Sequence, residues 1–158
     1  MSKNKISSNF PGWRIFFLLA LVVLAGVLKL YSLYIPTTKI SINGQVLEVL
    51  VAKNYNHLYK GLGKRKDLGN HDGMLFVFNS RNQHTMVMRD MRFSIDIIWI
   101  DGDVIVDIAP NVQTEIGKKE GEYIPYLARE KSTHVLEVAS GSVQKFGWKI
   151  GDRIEYNP

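Results

Sequence analysis

Two carboxylates sit in apolar company. Asp96 lies beside Ile95, Ile97 and Ile98, and Glu137 lies between Leu136 and Val138. A carboxylate in such a setting is costly to bury unless it is paired or hydrogen-bonded. It can serve structure, as an arginine's partner or as the cap of a strand start. It can also serve as a general base or ligand contact, because burial shifts its pKa. If close in space, Asp96 and Glu137 would form an acid/base pair. Arg65, in the run Lys64-Arg65-Lys66, and Arg89 are candidate partners, since the planar guanidinium suits bidentate pairing. With Arg81 and Arg92 they would make a positive patch favouring anionic headgroups or polymers. Met86, Met88 and Met91 form a soft strip that can line an adaptable groove or fill a core. The candidate binding residues are therefore Arg65, Met88, Arg89, Asp96 and Glu137, with Asp96 and Glu137 also the candidates for catalysis.

Other chemistries find little support. With no cysteine in the chain there is no thiol nucleophile, disulfide framework or Cys-ligated metal. His57, His71, His84 and His134 lack the i, i+4 spacing of a helical zinc site, so no metal is expected. Asp101-Gly102-Asp103 suits a hairpin turn better than a calcium loop. Ser140-Gly141-Ser142 is no nucleophile elbow, and no glycine loop cradles a phosphate, so no cofactor is expected. The net charge of +5 belongs mostly to Lys3, Lys5, Arg14 and Lys29, with no acid among residues 1–36. The remainder is near neutral, which argues against nucleic acid as a partner.

The elements that must position these groups lie in residues 37–158. Asn43-Gly44 between Lys39–Asn43 and Gln45–Val51 signals a first hairpin. Asn54 or Asn56 can cap a short helix running through Leu62, ended by Gly61 and Gly63. Met74–Phe78 reads as a strand covered on both faces. Ile95–Ile100 and Val104–Ile108 flank a second turn at Asp101-Gly102, with Val104, Val106 and Ile108 on one face and Ile105 and Asp107 on the other. His134–Ala139 and Asp152–Tyr156 are further strands, and residues 111–132 read as a long loop. Short strands with one short helix predict a mainly β (α+β) domain, a compact antiparallel barrel or sandwich. Long amphipathic helices between strands are missing, which argues against a parallel α/β fold.

Ahead of this domain stands the apolar run Ile15–Leu28, with basic residues before it. Alone it spans only ~21 Å as a helix; continued to Ile35 it spans ~31 Å, enough for the ~30 Å hydrocarbon core. Trp13, Tyr31 and Tyr34 stand where interfacial aromatics prefer to be, and Pro36 stops the helix. No Ala-x-Ala site follows the run, so an uncleaved anchor is favoured over a signal peptide. The expected layout is a basic cytoplasmic segment (1–14), a single transmembrane helix (15–35) in the lipid bilayer and an extracytoplasmic domain (37–158). A leader cleaved to release a periplasmic or secreted domain is the alternative.

The set Gly61-Leu62, Arg65, Gly73–Phe78, Met88-Arg89-Asp90-Met91, Asp96-Ile97, Val135-Leu136-Glu137, Gly141 and Gly151-Asp152 resembles the DUF192 (UPF0127) family, in order and spacing from about Val46 to Tyr156. The resemblance implies a small β-rich domain, often behind a signal peptide or anchor in a bacterial or archaeal envelope, with no known substrate or catalytic residue. It also implies tryptophan where this chain has Val87 and proline where it has Ser94. Without the tryptophan a stacking face for sugars is lost. Three expectations follow: an envelope domain that binds a glycan, lipid headgroup or protein partner; a hydrolase using Asp96 and Glu137 with Arg65; and an assembly module using the Met strip and the 111–132 loop. With no catalytic motif present, binding is favoured over catalysis.

Overall fold

Residues 12–157 are described by the computed structural model, in two units that part after Tyr34. In the first, a 22-residue helix α1 (Gly12–Leu33) rises through the apolar run. Its stretch Gly12–Ser32 is long and apolar enough to cross a membrane, and none of it is buried in protein as a core helix would be. The helix begins three residues before the expected span and stops short of Pro36. Lys3 and Lys5, on which the basic cytoplasmic segment rests, lie outside the described residues.

The second unit runs through β1 (Thr37–Ile42), β2 (Gln45–Ala52), α2 (Tyr55–Lys60), β3 (Gly73–Asn82), β4 (Thr85–Met86), β5 (Ile95–Asp101), β6 (Val104–Val112), β7 (Tyr126–Leu127), β8 (Ser132–Ala139), α3 (Ser142–Phe146) and β9 (Ile154–Tyr156). Seven strands form one curled sheet in the order β6-β5-β8-β3-β2-β1-β9, and β4 and β7 pair separately. The mainly β fold is as expected, in the form of a half-barrel. Asn43 and Gly44 both take positive φ, 50° and 79°, which a two-residue hairpin with the strands' own twist requires. The second hairpin closes on the pair Asp101↔Val104, with Gly102 at φ 62°.

One pair departs from the antiparallel expectation. β2 and β3 run parallel, from Val49↔Gly73 to Ala52↔Phe76. The crossover through residues 53–72, which carries α2, returns the chain to the same end of the sheet. Three short elements also differ from the sequence reading, β4 among them. β7 forms inside the expected 111–132 loop, and α3 follows Gly141.

The two faces of the sheet bury separate apolar clusters. Along β5, Ile95, Ile97 and Trp99 enter one cluster with Met74, Phe76, Met86 and Met91. Ile98 and Ile100 enter the other with Ile40, Val49, Leu136 and Trp148. Strict alternation fails on β6, where Trp99 faces Asp107 but Ile100 faces Ile105. That bulge resets the faces, so Ile105 and Ile108 share a cluster rather than opposing one another.

Candidate functional site

Asp96 is fully buried, and its surroundings are backbone rather than charge. Its carboxylate accepts from the N–H groups of Asn111 (2.7 Å), Gly141 (3.1 Å) and Val143 (2.8 Å). Those donors belong to the end of β6 and the first turn of α3, whose N–H groups have no intrahelical acceptor. Asp96 thus fastens α3 and β6 to the start of β5. Neither Arg65 nor Arg89 is among its partners. Ser94, where the resemblance implied proline, donates to Gln113 Oε1 (3.1 Å) and accepts from the Ser140 N–H, beside this junction.

Glu137 stands on the opposite face. In β8 the side chains of Val135 and Leu136 enter different clusters, and Glu137 shares the face of Val135 while Asp96 shares that of Ile98 and Leu136. The two carboxylates come from adjacent strands, with Asp96 opposite Val138 and Ile97 opposite Glu137, yet the sheet separates them. The acid/base pair, and the hydrolase expected from Asp96, Glu137 and Arg65 together, is therefore not assembled by this fold. Arg65 is half-buried and lines no part of the Glu137 site.

Glu137 lies at the floor of a pocket of about 420 Å³. The pocket is built from α2 and the Gly61–Gly63 turn, from Phe76 and Phe78 of β3, and from the segment Thr85–Met91. Asn54 caps α2 by accepting from the His57 N–H (2.9 Å), which fixes where Tyr55 and Tyr59 emerge. A Cβ at Gly63 would stand 2.7 Å from the Arg89 carbonyl oxygen, so only glycine lets this turn lie on the 88–90 backbone. The Lys64 N–H then donates to the Asp90 carbonyl (2.8 Å) and clasps the two segments together.

The rim carries the polar groups. Arg89 holds Glu120 through two guanidinium nitrogens (2.7 and 2.5 Å) and donates to the Tyr59 carbonyl (3.1 Å). Its guanidinium lies 4.2 Å from the centroid of the Tyr59 ring. The hydrogen bond to Glu120 raises the Arg89 pKa, against the lowering effect of burial, and the same bond lowers that of Glu120. Lys60 and Val87 complete the mouth, so the position where tryptophan was implied does line the pocket.

Glu137 itself is buried, and its Oε2 has no hydrogen-bond partner. Across the strands it meets Met74 on β3 and Ile97 on β5. Removed from water with no cation to stabilise its charge, the carboxyl is pushed up to about 8. At neutral pH it is an uncharged acid, able to donate one hydrogen bond into the pocket.

Of the residues singled out from sequence, the fold brings Arg89 and Glu137 to the pocket with Met86 and Met91. Met88 is buried in the adjoining cluster. Tyr55, Tyr59, Phe76 and Phe78 were not anticipated as lining; the closely spaced Gly61 and Gly63 were the available signal of close backbone approach. Two arginines of the expected positive patch are held by acids, Arg81 by Asp101 (2.8 Å) and Arg89 by Glu120. Asp103 of the second hairpin pairs with Arg153 (2.6 Å), and among the described residues no three His, Asp or Glu side chains cluster for a metal.

A buried acid of a different kind stands on β6, opposite Trp99. Asp107 accepts from the backbone N–H groups of Ile108 (2.9 Å) and Arg129 (2.7 Å) and pairs with the Arg129 guanidinium. Burial raises the Asp107 pKa, but the Arg129 and backbone hydrogen bonds outweigh it and hold the carboxyl below its usual range. Supplied with partners, Asp107 keeps its charge; lacking them, Glu137 loses it.

Fold and site together define a small β-rich domain organised around an apolar pocket with a single acid at its floor. The chain belongs to the DUF192 family, whose model, described as an uncharacterized ACR, matches residues 38–156. No curated protein matches the chain. Among solved structures it is similar to a protein of unknown function from Novosphingobium aromaticivorans, at 27% identity and TM-score 0.67 over 75% of this chain and 84% of that one. It is also similar to a candidate transcription regulator from Sinorhizobium meliloti, at 24% identity and TM-score 0.68 over 78% of this chain and 96% of that one. The second likeness shows the fold alone.

Proposed function

We propose that this chain is a membrane-tethered envelope domain that binds a small, mostly apolar molecule in the pocket between α2, β3 and β8. The observation that carries the reading is the pocket itself, about 420 Å³ and lined mainly by Leu, Met and aromatic side chains around the Glu137 carboxyl. That size and lining suit a small-molecule site with one orienting polar group. Of the occupants expected from sequence, a glycan is the least supported. Val87 offers no stacking face, and the Tyr59 ring already lies under Arg89. A lipid-derived or other apolar molecule fits the lining better. The tether is supported by α1, and Arg14 ahead of the apolar run favours a cytoplasmic N-terminus with residues 37–158 outside.

A second reading, an assembly module, draws on the exposed Ile116, Ile124 and Leu127 of the 113–127 segment. A thermal-shift series on the full chain in detergent separates the two, with lysophospholipids, short-chain alcohols and ketones, and glycan oligomers as probes. A molecule held at about 100 times its dissociation constant adds about 2.7 kcal/mol of stability. Stabilisation by an apolar probe, absent with glycans, is the expected result. No shift from any class, together with self-association abolished by Ile116→Lys, would overturn the pocket reading in favour of assembly.

A further inference from the structure

Glu137 is the one buried polar side chain among the described residues that lines the pocket, and its carboxyl constrains what can bind. Glu137 Oε2 is buried without a partner among the described residues, a state a native fold seldom leaves unexplained. The strands on either side give it only Met74 and Ile97. The charged and titratable groups that reach the pocket from other elements are Tyr55, Tyr59 and Lys60 on α2 and Arg89 after β4, with Glu120 held on Arg89. Asp96 is on the other face of the sheet and occupied by three backbone N–H groups.

These groups decide between ligand charges. A cationic ligand would enter past Lys60 and Arg89, and two of the rings that could face it are covered: Tyr59 by Arg89, and Phe78 by His84 at 3.6 Å between centroids. An anionic ligand would find Lys60 only at the exposed mouth, while Arg89 is engaged by Glu120 and no cation stands beside Glu137 at the floor. An uncharged ligand meets neither obstacle. We propose that Glu137 acts as the uncharged acid, donating its O–H to a carbonyl-type acceptor on an otherwise apolar, uncharged ligand. This deepens the pocket reading and rests on it. Because burial pushes the carboxyl up to about 8, the donor is present at neutral pH and is lost in alkali. The ionised form would turn a donor into a pair of acceptors facing the ligand's own oxygen.

The test uses the full chain in detergent micelles and four probes of similar shape: acetophenone, ethylbenzene, benzylamine and benzoate. Binding is read by ligand-observed NMR against Glu137→Leu in the same micelles. Acetophenone is expected to bind about tenfold more tightly than ethylbenzene at about pH 6.5, the worth of one net hydrogen bond. Its affinity is expected to fall about tenfold by about pH 9.5, to no better than that of ethylbenzene, following the loss of the proton. Glu137→Gln, which keeps an N–H donor, should retain the preference and lose the pH dependence. Equal binding of acetophenone and ethylbenzene at every pH would overturn the donor role while leaving the pocket standing. Tightest binding of benzylamine, strengthening in alkali, would make the site a cation receptor instead. Failure of all four probes to bind would remove the pocket reading along with the donor.

Discussion

Replacing Glu137 by glutamine measures what the buried acid costs the fold. In the unfolded chain this carboxyl ionises near 4.5, and in the folded domain burial moves it to about 8. The folded state therefore holds its proton more tightly, so the acid's contribution is most favourable below about pH 4. Stability is lost as pH rises from 4.5 to 8 and then levels, because both states are ionised above that window. The full span corresponds to about 5 kcal/mol, and about 3 kcal/mol of it is already lost at neutral pH. Glutamine has a similar shape and does not titrate, so its stability should lack this component. Thermal unfolding of the full chain, followed by circular dichroism from about pH 4 to about pH 9, should show the two proteins closest in acid and farthest apart in alkali. The variant is expected to melt about 10 °C higher than the parent at neutral pH. Only the change in the gap with pH is diagnostic, since a constant offset reflects amide packing. Parallel curves across the whole range would refute the reasoning and mean that Glu137 finds a partner or water that keeps it ionised at its ordinary pKa.

Asp96→Ala should lower stability by roughly 3–5 kcal/mol, because the N–H groups of Asn111, Gly141 and Val143 lose their acceptor; Asp96→Asn, which keeps one oxygen, should cost less. Urea midpoints would show it, and unchanged midpoints would return Asp96 to the functional candidates. Gly73→Ala would set a Cβ 2.3 Å from the Glu137 carbonyl oxygen, so β3 and β8 must part, at about 3 kcal/mol and with loss of probe binding. Asp107→Asn should remove part of the domain's acid sensitivity. The lowered pKa of Asp107 means its contribution is present at neutral pH and lost as pH falls through the folded value, which melting curves below about pH 4 would reveal. Val22→Arg, near the middle of α1, should cost about 3 kcal/mol of membrane insertion and shift the chain out of the alkali-resistant membrane fraction; no shift would count against the tether.

What could be read from residues alone was what local chemistry dictates. Asn43-Gly44 makes its hairpin, Asn54 caps α2 and Gly61 ends it, and the leader is a helix, because each signal acts within a few residues. The parallel β2–β3 pair was hidden because its crossover carries a helix of only six residues, too short to announce a βαβ unit. α3 and β7 escaped notice because five- and two-residue elements exist only through tertiary partners such as Asp96 and β4. The faces of Asp96 and Glu137 were equally opaque. Both faces of the sheet are apolar, so alternation in β5 and β8 carries no contrast from which to tell one side from the other. The pocket gathers residues from Tyr55 to Glu137, and only the closed sheet brings them to one place.

The curl of the sheet has a consequence for crowding. A strand edge with free N–H and C=O groups is a template on which another chain can add. Here the rims that an open sheet would expose meet at one end. Val104 bridges Arg153, the Ile105 N–H donates to the Asp152 carbonyl (2.9 Å) and the Ile154 N–H to the Asp103 carbonyl (2.7 Å). The last strand, β9, is three residues long. On the proposed tether, copies of the domain would share one plane and meet more often than in dilute solution. The seam at Val104–Arg153 therefore leaves β6 and β9 few free backbone groups for a second copy to pair with, and variants that open it should self-associate before they unfold.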